Sequence, residues 1–242
     1  MSSASTSLLD RHRAWRLALG LALVLPTILT WLYFIRLAGA PAGVQQVVYA
    51  VGKTVQFALP AVFVGLTLRR RIVLHRPGGR GAGEGLVSGL IVCAATVTLF
   101  WLMGRFEPRL MADLASQVTA KVTELGIATG PRYLAVAVFY SVVHAALEEY
   151  YWRWFVYGQL RRFLRTRQAI LVAALGFMAH HLILIGFYTG WGWTMSVPVA
   201  LAIAAAGAYW AWLYERSGSL VGPWVSHLLV DAAIFAVGWR LL

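Results

Sequence analysis

Two adjacent acids, Glu148 and Glu149, stand in an otherwise apolar stretch, and later apolar stretches carry His181, His227 and Asp231. A charged side chain at the centre of a bilayer costs about 2.5–3.5 kcal/mol on insertion scales, so acids in such stretches point to function. Carboxylates and imidazoles together are groups that take and give protons. Spacing strengthens the set. Glu149 and Arg153 are four apart, as are His144 and Glu148, Phe177 and His181, and His227 and Asp231. Residues four apart share one helical face and can touch.

Plainer readings compete at single positions. A buried arginine needs an acid, so Glu149 and Arg153 read first as a structural pair. His144 reads first as structural and second as pocket lining. His180 points about 100° away from His181 on a helix, so one of the two faces a common pocket. Phe177 can shelve the imidazole of His181. Asp231 can serve only to orient His227.

The elements that hold these residues follow from composition. The 242 residues are 60% hydrophobic with a mean hydropathy of +0.70, against roughly 45–50% apolar in soluble domains. The surplus falls in long blocks, which implies an all-α fold, a polytopic transmembrane helical bundle. Candidate spans cover about 14–37, 47–68, 86–104, 133–157, 169–187, 195–214 and 220–239. The chain reads as one integral membrane domain, 1–242, with a catalytic core over about 133–242. The first block is longer than the ~7–15 apolar residues of a signal peptide, so it reads as a retained helix. Between Arg105 and Pro131, Leu110, Leu114, Val118 and Val122 recur every four residues. That is an amphipathic helix for the membrane surface, and it makes eight helices in all. Lys53, near the start of the second span, can snorkel to the interface. Residues 76–85 read as a flexible turn, and Trp191 and Trp193 as part of an interfacial belt.

The formal net charge of +12 is mostly arginine in short loops. Arg69, Arg70, Arg71, Arg76 and Arg80 follow span two, and Arg161, Arg162, Arg165 and Arg167 follow span four. Dispersed in this way they fit the positive-inside rule and exclude a nucleic-acid partner. The amino terminus is expected in the cytoplasm and the carboxyl terminus outside, in the plasma (inner) membrane. The single cysteine, Cys93, rules out an intramolecular disulfide. At about 1.5 Å per residue, Glu148, His181, His227 and Asp231 all fall roughly 12–20 Å from the arginine-bearing end of their helices. Four polar groups from three helices can therefore meet at one level, and substrate is expected to enter from the cytoplasmic face.

Three motifs in order carry a resemblance. They are Glu148-Glu149-Tyr150-Tyr151-Trp152-Arg153, Phe177-Met178-Ala179-His180-His181, and His227-Leu228-Leu229-Val230-Asp231 after Ser219-Leu220-Val221-Gly222-Pro223. This resembles the CPBP family, which includes type II CAAX prenyl proteases, bacteriocin-processing enzymes and Abi-like proteins. The resemblance implies an intramembrane glutamic-type endopeptidase without a cofactor. It implies that Glu148 and His181 activate water, that His227 and Asp231 hold the oxyanion, and that Glu149 and Arg153 brace the site. The family pattern has Asn or Asp at the last position, and an ionised Asp231 cannot donate a hydrogen bond. Desolvation penalises the charged form of a carboxylate, which suits a glutamate to both take and give a proton. The alternatives are a zinc peptidase with Glu148, His181 and His227 as ligands, although no His-Glu-x-x-His pair is present, and a proton-coupled transporter or membrane partner protein. The expected partners are the bilayer and a membrane-associated protein or peptide substrate, such as a leader, sorting tail or anchor.

Overall fold

Eight helices follow one another in a computed structural model that describes residues 2–67, 79–190 and 192–242, with the backbone alone for 2–14, 66–67 and 193–195. They are α1 (Ser2–Trp31, continued by a π-helical turn, Leu32–Arg36), α2 (Ala42–Val62, continued by another, Phe63–Thr67), α3 (Ala82–Phe106) and α4 (Pro108–Glu124). Next come α5 (residues 130–160), α6 (Thr166–Thr189), α7 (Trp193–Ser217) and α8 (Val221–Trp239). No strand occurs among the described residues.

Six of these helices contain stretches long and apolar enough to cross a membrane: Trp15–Arg36, Ala42–Gly65, Ala82–Phe106, Thr166–Thr189, Ser196–Ser217 and Val221–Trp239. Their outward faces carry Leu17, Val24, Val51, Leu90, Ile91, Leu171 and Leu201, the apolar surface that lipid would cover. The seventh candidate span, α5, is long enough to cross but carries Glu148, Glu149 and Arg153, and all three are buried. Its polarity faces the bundle, as intramembrane charge requires.

Short links put the chain ends of neighbouring helices together. Glycines in the left-handed region end α6 at Gly190 and α7 at Gly218, where a side chain would be strained. The arginine-rich end is tied by Tyr157 of α5 and Arg161 just after it, which both bond Glu215 of α7, at 2.7 and 3.2 Å. At the other end α4 lies across the bundle. Its Leu110, Leu114 and Val118 are half-buried and Val122 is buried, so the amphipathic stripe docks on protein. Lys121 of α4 bonds Gln45 of α2 at 3.1 Å. Arg69, Arg70, Arg71 and Arg76, the first part of the 76–85 turn, and Trp191 lie outside the described residues.

The closest helix approach joins α3 to α8. A Cβ on Gly85 would overlap the Gly222 carbonyl, and one on Gly222 would overlap that of Gly81. Ser88 and Ser226 bond across the seam at 3.1 Å. Small residues let backbones meet and maximise packing where lipid gives no hydrophobic drive. This seam holds α8 at the depth where His227 faces α5. Gly85→Val should part the helices and cost about 1–3 kcal/mol of stability. Thermal unfolding of the detergent-solubilised protein checks this, and an unchanged midpoint would contradict the close approach.

Candidate active site

The centre of α5 departs from a regular α-helix. One α-helical turn, Ala145–Glu149, lies between π-helical segments at Phe139–His144 and Tyr150–Tyr157. Wide turns of this kind are rare and mark functional sites more often than chance. Here they flank the two glutamates.

Glu149 and Arg153 form a fully buried ion pair, with Nε 3.1 Å from Oε2. The guanidinium also donates to the Gly207 carbonyl at 3.4 Å and lies over the rings of Phe177 and Trp210. The second oxygen of Glu149 takes the Nδ1–H of His227 at 2.8 Å. Glu149 therefore braces the arginine and aims the histidine at once. Trp210 stacks flat on the other side of that imidazole, 4.3 Å between ring centroids, and its Nε1–H is held by Ser226 at 3.0 Å.

Glu148 points into a ring of imidazoles. Its oxygens lie 3.9 Å from Nε2 of His144, 3.6 Å from Nε2 of His180 and 3.7 Å from Nε2 of His227. Each separation exceeds a direct hydrogen bond and lies within reach of a shared water. His181 donates its Nδ1–H to the Phe177 carbonyl at 2.9 Å, since a carbonyl can only accept. In the neutral ring Nε2 is then the accepting nitrogen. Asp231, with its side chain 20% exposed, places Oδ1 3.7 Å from Nε2 of His227.

The structure thus brings Glu148, His181, His227 and Asp231 to one level, and gathers His144, His180, Glu149, Arg153 and Phe177 around them. Four details differ from the sequence expectation. His180 and His181 do not diverge: both offer a nitrogen within 4.8 Å of a Glu148 oxygen and of one another, and His180 is stacked on Trp152. The carboxylate that orients His227 is Glu149, because Asp231 meets the opposite ring nitrogen. Among the described residues, the donors that lie within 4.8 Å of one another are Glu148, His180 and His181; His227 stands outside that group, with its Nε2 3.7 Å from Glu148 and its Nδ1 on Glu149. Lys53 does not snorkel. The helix begins at Ala42, so Lys53 sits in its middle, on the inward stripe with Gln45, Tyr49, Gln56 and Phe57.

Enclosure differs along α5 and is greater toward the arginine-rich end. Beyond Glu149 on that side, Tyr151, Trp152, Phe155, Val156 and Tyr157 are fully enclosed. Toward α4, Tyr140, His144, Tyr49 and Lys53 are half-buried. The opener approach to Glu148 is on the α4 side. Sequence reasoning missed Trp152 and Trp210, whose stacking partners lie on other helices.

Residues 130–233, which contain all three motifs, match the family described as type II CAAX prenyl endopeptidase Rce1-like. The similarity covers 104 of the 242 residues. No curated protein and no solved structure matches the chain. The Rce1-like segment runs from the start of α5 into α8, and α1 to α4 lie outside it. This match and the fold support a CAAX-type peptide hydrolase set in a bundle of helices long and apolar enough to cross a membrane.

Arg153→Met would leave the buried Glu149 carboxylate with His227 as its one remaining partner described above, and should cost about 3–5 kcal/mol, the range for breaking a buried pair. Glu148→Gln, which keeps shape and breaks no direct hydrogen bond, should leave the unfolding midpoint within a few degrees. Equal losses in the two variants would contradict this division of labour between the adjacent glutamates.

Proposed function

We propose that the protein cuts a peptide bond near the end of a membrane-associated protein or peptide, using water activated by Glu148 and His181. The observation that carries this reading is the Glu148 carboxylate, buried and ringed by imidazole nitrogens at 3.6–3.9 Å. A water held there donates one proton to Glu148 while its oxygen attacks the scissile carbonyl carbon. His181, with Nδ1–H tied to Phe177, offers its Nε2 lone pair as a second acceptor. The carbonyl oxygen gains negative charge and needs donors aimed at it. His227 supplies one at Nε2 when it carries both protons, a form stabilised by the carboxylates of Glu149 and Asp231 on its two nitrogens. Asp231 donates only in its protonated form; when ionised it supports the His227 cation. The proton on Glu148 then passes to the leaving nitrogen as the C–N bond breaks, and the product is a carboxylic acid and an amine.

A second reading has its own observation. Glu148, His180 and His181 offer three ligand atoms within 4.8 Å of one another, and catalytic zinc takes three protein ligands and a water. Glu148 would then be a ligand, and the attacking water would need another base.

The test is cleavage of a lipidated peptide ending in a Cys-a-a-X sequence by purified protein in nanodiscs. Glu148→Gln should lower kcat about 10²–10⁴-fold, the range for a lost general base. A chelator should leave the wild-type rate unchanged. Loss of activity on chelation, restored by zinc, would replace the metal-free mechanism with the second reading.

We further infer from the arginine-rich loops that the amino terminus lies in the cytoplasm of a plasma-membrane protein. In a Cys93→Ser background, a membrane-impermeant maleimide added to intact cells should label Leu242→Cys and spare Ser5→Cys. The reverse pattern would invert the topology.

A further inference from the structure

Lys53 has no part in the chemistry described so far. It stands eleven residues into α2, on the stripe that faces the bundle, about 16 Å from the helix start at the standard rise. From there it cannot lift its charge to a membrane surface. A cation so placed is costly unless something offsets it. Among the described residues no carboxylate lies within ion-pairing distance of its ammonium. The ammonium instead rests over the rings of Tyr49 and Phe57, at 5.7 and 5.5 Å. Ring faces attract a cation but satisfy none of its three N–H donors.

Its neighbours lead toward the reacting bond. Phe57 packs edge-on against His144, and His144 lies beside Glu148. Tyr49 bonds Tyr140 hydroxyl to hydroxyl at 2.9 Å. Phe57 and His144 thus link Lys53 to Glu148, and no ion-pair contact joins the two directly. It lies on the α4 side of Glu148, where the approach is more open.

We propose that Lys53 binds the free carboxylate at the carboxyl terminus of the substrate, on the α4 side of Glu148. This rests on the peptidase reading above. A Cys-a-a-X sequence is by definition carboxyl-terminal, so its substrates bring a full negative charge to within a few residues of the cut. Three extended residues span about 10 Å, a length suited to reach from Glu148 to the next turns of α2. A compact ammonium with unused donors, held between aromatic faces away from bulk water, is matched to one carboxylate. Tyr49, over whose ring the ammonium rests, is bonded hydroxyl to hydroxyl to Tyr140. Lys53 then acts as a ruler, favouring chains that end a set distance from the scissile bond.

The test uses a lipidated Cys-a-a-X peptide as free acid and as carboxyl-terminal amide. Cleavage is read in wild type, Lys53→Met and Lys53→Arg. Binding is read by fluorescence anisotropy on Glu148→Gln protein with and without Lys53→Met. In wild type the acid should be preferred over the amide by about tenfold or more in kcat/KM, the scale of a hydrogen bond to a charged group. Lys53→Met should erase that preference by weakening the acid alone, in KM and in binding. Lys53→Arg, which keeps the charge, should retain it. Equal cleavage of acid and amide by wild type would overturn the role of Lys53 and leave the peptidase reading standing. A Lys53→Met loss shared by both peptides would also overturn it, and would make Lys53 a counter-charge for Glu148. Cleavage of neither peptide by wild type would overturn both readings.

Discussion

A guanidinium cannot shed its charge, and Arg153 sits wholly inside the bundle. Everything around it follows from that demand. It requires a carboxylate at contact distance, which fixes Glu149 one turn before it on the same helix. Glu149 has a second oxygen, and a buried carboxylate cannot leave it idle, so it takes the N–H of His227 from α8. Phe177 and Trp210 close over the cation from α6 and α7. One charge thus ties four helices at a single depth. It is paired, hydrogen-bonded and covered by aromatic faces, the conditions under which a buried charge is tolerated.

With Glu149 committed to structure, Glu148 is released for chemistry. The two residues are neighbours in sequence and face different surroundings. One is locked to an arginine and a histidine at 2.8–3.1 Å. The other meets three imidazoles at 3.6–3.9 Å, close enough to influence it and too far to hold it. Consecutive residues of an α-helical turn point about 100° apart, so adjacent acids can serve such different partners. The glycine seam between α3 and α8 and the stacking of Trp210 then hold His227 where both glutamates reach it.

Much of this is legible in the sequence because intramembrane charge is so constrained. An apolar block with an acid in it has few explanations, and spacing by four places pairs on one face. Equal depth along antiparallel helices could be counted from the arginine-bearing ends, and the four groups do meet. The amphipathic stripe of α4 was equally readable, though it covers protein. What the sequence could not show are relations between helices. The pairing of Glu149 with His227, the stacking of Trp152 on His180 and the gathering of both adjacent histidines depend on which faces meet. Lys53 was misread because its distance from the helix end was counted from the wrong start. Depth alone does not say which side of a site is filled, so the closer packing on the arginine-rich side was not legible.

The central claim is that Glu148 drives peptide hydrolysis within the membrane. The most direct measurement compares the termini of membrane proteins in cells that carry the wild-type chain or Glu148→Gln at equal abundance. New carboxyl and amino termini present only with wild type would bear the claim out and identify substrate and bond together. Identical termini in both cells would contradict it.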